Sequence, residues 1–90
     1  MLTKTQKEEL RHAVREFLAC RPMCAFTAWQ AAKMMARRST LDFALEEADI
    51  AEAFVFLENL TQATKLTDDL GSTVAYQITA QGVLAFERGA

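Results

Sequence analysis

Long apolar runs are missing from this sequence: no stretch approaches the roughly 18 consecutive apolar residues of a membrane-spanning helix. The opening segment MLTKTQKEEL has neither the apolar centre nor the cleavage pattern of a signal peptide, so the expected location is cytoplasmic. Glycine occurs three times, at Gly71, Gly82 and Gly89, too scattered to form a phosphate-cradling loop. Histidine occurs once, and His12 has no nucleophile or paired carboxylate patterned around it, which removes the usual acyl-transfer arrangements. It reads as a surface or boundary residue.

The two cysteines, Cys20 and Cys24, stand four apart around Pro22, which is not a CxxC spacing. A tetrahedral zinc site would have to borrow carboxylates from elsewhere. They are expected to be small buried hydrophobes, with a disulfide open but not required. No catalytic residue, metal or cofactor is therefore assigned.

What is present is a chain of 90 residues, 51% hydrophobic and 24% charged, ordinary for a folded protein. It is expected to form one domain, 1–90, burying roughly 60–65% of its unfolded surface. The net charge of −2 conceals an asymmetry. Up to Arg38 eight basic residues face three acids, a net of +5; from Ser39 onward two face nine, a net of −7.

Periodicity predicts the elements. Leu10, Ala13, Val14, Phe17 and Leu18 form the stripe of a core-facing helix, with Thr5 and Glu8 as its capping box and an end by Arg21, ahead of Pro22. After a short extended piece, 23–26, Thr27 and Gln30 form a second capping box, and Trp29, Ala32, Met35 and Ala36 are the expected apolar face of a short helix. Leu41 and Phe43 are expected to fold back onto the core. The stretch 45–60, LEEADIAEAFVFLENL, is the longest helical pattern, with Ile50, Ala53, Phe54, Leu57 and Leu60 on one face. Val55 points away from that face and Phe56 sits on its flank.

From Thr61 the period becomes extended. Two short strands flank DDLGS, where Gly71 supplies freedom in φ, and form a hairpin that must lie against the helices. Thr79 then caps a short helix carrying Val83, Leu84 and Phe86, and Gly82 inside it implies close packing or a bend.

The segments FTAWQAAKMM, ADIAEAFVFLENL and TKLTDDLGSTVAYQIT, and above all YQITAQG at 76–82, together resemble the winged-helix family. The resemblance covers nearly the whole chain. It implies an α+β winged-helix domain: a three-helix core, a C-terminal β-hairpin wing and a short terminal helix. It further implies DNA binding through the third helix and the wing. The residues at those positions include Glu46, Glu47, Asp49, Glu52, Val55, Phe56 and Asn59, without an Arg or Lys, and duplex DNA is a row of negative phosphates. The primary expectation is therefore a non-catalytic module that binds a protein partner or self-associates, with Glu52, Val55, Phe56 and Asn59 as contact residues. The alternative is a DNA-binding transcriptional regulator using a non-standard basic surface: Lys33, Arg37 and Arg38, with Lys4, Arg11 and Arg15 on the first helix.

Overall fold

The computed structural model describes residues 2–37, 41, 43–71 and 73–89. Helix α1 spans Lys4–Ala19 and is capped by Thr3, not Thr5. The Thr3 hydroxyl accepts from the Gln6 amide at 3.1 Å and the Gln6 side chain accepts from the Thr3 amide at 3.0 Å. The segment TKTQKE contains two overlapping capping boxes, and the earlier one wins by adding helical residues ahead of the other. Leu10, Val14, Phe17 and Leu18 are buried as the stripe requires, and Ala13 is half-buried.

Both cysteines are free and exposed, contrary to the expectation of buried thiols. The helix stops at Ala19, so Cys20 is its C-cap, beyond the last core-facing turn. Cys24 lies in the following turn, where its amide donates to the Arg21 carbonyl at 3.1 Å.

Phe26 then makes a one-residue bridge to the wing: its amide and carbonyl exchange hydrogen bonds with Tyr76 at 2.9 and 2.8 Å. Helix α2, Ala28–Ala36, follows with the predicted capping box of Thr27 and Gln30. Its buried side is Ala31 and Met35, with Ala28 and Ala32 partly covered. Trp29 is 54% exposed and Ala36 is exposed, so the predicted face is rotated from the real one. In so alanine-rich a helix the small residues set the close approach, and the large indole is not accommodated beneath it.

Leu41, Phe43 and Leu45 pack against the core ahead of α3, Glu47–Asn59. Ile50, Ala53, Phe54 and Leu57 of α3 are buried; Leu60 is its C-cap and 44% exposed. The helix ends with Thr61 in the left-handed region at φ 60°. Two hydrogen bonds close the turn, Gln62 amide to Leu57 carbonyl and Thr61 amide to Glu58 carbonyl, both at 2.9 Å. This is the Schellman arrangement, which ordinarily takes glycine. A β-branched residue there costs about 1–2 kcal/mol, so Thr61→Gly is expected to raise stability by about 1 kcal/mol in a denaturant titration.

Strands β1, Ala63–Thr67, and β2, Val74–Ile78, pair antiparallel with Ala63 opposite Ile78 and Lys65 opposite Tyr76. Ala63, Tyr76 and Ile78 share the face packed on the helices. Thr64, Leu66, Ala75 and Gln77 occupy the outer face. Gly71 turns the hairpin at φ 68°. Helix α4, Ala80–Glu87, is capped by Thr79, whose hydroxyl accepts from the Gly82 amide at 3.1 Å. The same residue ties α4 to the end of α3: its amide donates to the Gln62 carbonyl at 3.1 Å and its hydroxyl to the Thr61 carbonyl at 2.7 Å. Three helices, a two-stranded wing and a short terminal helix make a winged-helix fold.

Candidate interaction surfaces

The acids of α3 do not share one surface. Glu52 is turned toward α1, where it pairs with Lys7 at 3.3 Å. Asp49 lines the same shallow cleft, with Leu2, Lys7, Leu10 and Arg11. Glu58 lies toward the wing: burial pushes the Tyr76 phenol above its ordinary value, and the Glu58 carboxylate acts in the same direction. Ala48, Val55 and Asn59 share the exposed outward side, with Glu52 beside them and Glu47 in the first turn. Asp49 and Glu52 thus both border α1, with the Glu52 side chain still largely exposed. Only the arrangement of α1 beside α3 could have revealed it.

Phe56 and Val55 also part company. Val55 is 44% exposed on the outward side, whereas Phe56, 36% exposed, lies under the guanidinium of Arg11, 3.7 Å from the ring centroid. Phe56 is thus covered in part from α1. Of the four expected protein-contact residues, Glu52 pairs with Lys7 and Phe56 lies against Arg11, while Val55 and Asn59 are exposed beside them.

The expected basic side of α1 is largely spent within the protein. Lys4 is exposed at the helix start, Lys7 is paired and Arg11 is stacked. Arg15 is not on the solvated side at all; it is 8% exposed and directed toward Gln62 and His12. His12 itself is exposed and has this arginine, not a nucleophile, as its neighbour.

On α2, by contrast, the cations are outward. Lys33 and Arg37 are exposed, Lys33 lies 4.3 Å from the centroid of the Trp29 ring, and Arg37 is the helix C-cap, where the dipole favours a positive charge. Trp29, Lys33, Met34 and Arg37 line an open depression with Phe26 and Cys24. Sequence reasoning placed Trp29 in the core and so missed the aromatic member of this surface. Arg38, the third expected cation here, lies outside the described residues.

Among the described residues no group of three or more His, Cys, Asp or Glu side chains could hold a metal ion. No helix among them is long and apolar enough to cross a membrane.

No protein family and no curated protein sequence matches the chain. Among solved structures it is similar to a transcriptional regulator from Clostridium thermocellum, at 12% identity and a TM-score of 0.74, over 99% of this chain and 84% of that one. At that identity the likeness establishes the winged-helix fold.

Proposed function

We propose that the chain is a DNA-binding transcriptional regulator that sets the outward side of α3 toward base edges and uses α2 for the phosphates. The observation that carries this reading is the disposal of the α3 acids. Asp49 is turned to α1 and Glu58 to the wing, so the outward side offers Ala48, Val55 and Asn59, with Glu52 paired to Lys7 at its edge and Glu47 in the first turn. Small apolar side chains can meet a thymine methyl and an asparagine can pair with adenine. The cations that helix lacks stand on α2, as Lys33 and Arg37. The resemblance in fold to a transcriptional regulator supports the same reading.

Two cations are a modest footing. Each neutralised phosphate contributes a slope of about −0.9 in log affinity against log salt, so binding by one chain is expected to be weak and to fade with a slope near −2. The test is fluorescence anisotropy with a labelled random-sequence duplex at low salt. Reversing both charges, Lys33→Glu with Arg37→Glu, is expected to weaken binding by at least about 10-fold. An unchanged affinity would remove these residues as the contact.

A second reading, binding a protein partner or another copy of the chain, is favoured by Val55, an exposed branched side chain on the outward side of α3. It predicts that the duplex shows no salt-sensitive binding and that the chain sediments above its monomer mass at micromolar concentration.

A further inference from the structure

Arg15 is the most unusual side chain in the molecule. It is 8% exposed, its Nε has no hydrogen-bond partner, and among the described residues no carboxylate lies within ion-pair distance of it. Its two terminal nitrogens make only long contacts, Nη1 to Gln62 Oε1 and Nη2 to His12 Nδ1, both 3.3 Å. A buried guanidinium ordinarily carries a carboxylate with it, because an uncompensated charge away from water is costly. Four residues earlier on the same face stands Arg11, stacked on Phe56 and, among the described residues, with no carboxylate within ion-pair distance. Like charges at this spacing repel. An anion between them would compensate both charges.

The space for one is present. Arg11, His12 and Arg15 of α1 line an open groove of about 360 Å³ with Phe56, Leu57 and Leu60 at the end of α3, and Gln62 and Glu8 complete the lining. This size falls in the range of small-molecule sites, about 300–1,000 Å³, and the wall is of the usual kind, apolar with a few convergent polar groups. The terminal N–H groups of Arg15 suit a carboxylate geometrically. The apolar wall excludes a bare inorganic anion as the best occupant. Glu8 disfavours a second negative charge on the ligand.

From these observations we infer that the α1–α3 groove binds a small monocarboxylate with an apolar body, its carboxylate on Arg15 and Arg11 and its body against Phe56 and Leu60. The site flanks α1, away from Ala48, Val55 and Asn59, so it does not rest on the DNA reading. A ligand seated there would brace the C-terminal end of α3 against α1.

Benzoate titrated into the full chain and followed by amide and side-chain NMR shifts tests this, with benzamide as the uncharged control of equal shape. Benzoate is expected to give saturable shifts at Arg11, Arg15, Phe56, Leu60 and Gln62, and benzamide none. Arg15→Met should fold at least as well as the parent, because it replaces an uncompensated buried charge by an apolar chain, and should lose at least about 10-fold in benzoate affinity, the value of one charge-assisted hydrogen bond. Gln62→Glu supplies the missing carboxylate from within and is expected to abolish benzoate binding while leaving the fold intact. Equal shifts from benzamide, or undiminished benzoate affinity in either variant, would overturn the assignment.

Discussion

Replacing Phe54 by alanine is expected to destabilise the fold by about 3–5 kcal/mol, enough to leave a chain of this size largely unfolded at 37 °C. Phe54 is fully buried at the centre of α3, and its ring lies 4.9 Å from that of Tyr76, so one side chain joins the helical core to the wing. Removing it takes away apolar contact on both sides and leaves a cavity that α3 and β2 cannot close independently, because Tyr76 is held by its paired hydrogen bonds to Phe26. Urea titration by circular dichroism measures the loss. A change below about 1 kcal/mol would mean that the wing is not anchored through Phe54.

Gly82→Val is expected to cost about 3 kcal/mol, and the smaller Gly82→Ala to cost rather than stabilise. Helix propensity alone predicts the opposite sign for alanine, a gain of about 1 kcal/mol in the interior of α4. The packing overrides it: a Cβ at this position would collide with the Gln62 carbonyl oxygen and with Cγ1 of Ile78. That carbonyl accepts the Thr79 amide, so it cannot retreat without loosening the cap of α4 from the end of α3. Thermal unfolding of both variants decides the matter, and a stabilised alanine variant would show that the approach of α4 to Gln62 is looser than described.

Where a signal is local in the chain, it was legible. The stripes of α1 and α3, the capping box at Thr27, the hairpin around Gly71 and the close approach at Gly82 all follow from spacing and residue type. Their order was sufficient for a winged-helix fold. Adjacent alternatives were not separable: Thr3 and Thr5 offer equivalent boxes, and α2 has too few large residues for its face to be read. The turn at Thr61 was invisible because threonine is a poor marker of left-handed backbone.

The candidate surfaces were less legible because they depend on which helix stands beside which. Arg15 reads as one more cation on a basic side, yet the end of α3 and Gln62 enclose it. Asp49 and Glu52 read as part of an acidic recognition helix, yet Glu52 pairs with Lys7 of α1 and Asp49 lines the cleft between the two helices. Arg11 over Phe56 likewise joins residues that periodicity treats separately. These side chains lie on helix flanks, which an amphipathic pattern leaves undetermined.

Amide shift mapping of the chain with a random-sequence duplex at low salt tests the functional account most directly. The account predicts perturbation concentrated at Lys33 and Arg37 on α2 and at Ala48, Val55 and Asn59 on α3, diminishing together as salt is added. Shifts confined to α1 and the groove around Phe56, or none at all at low salt, would contradict it.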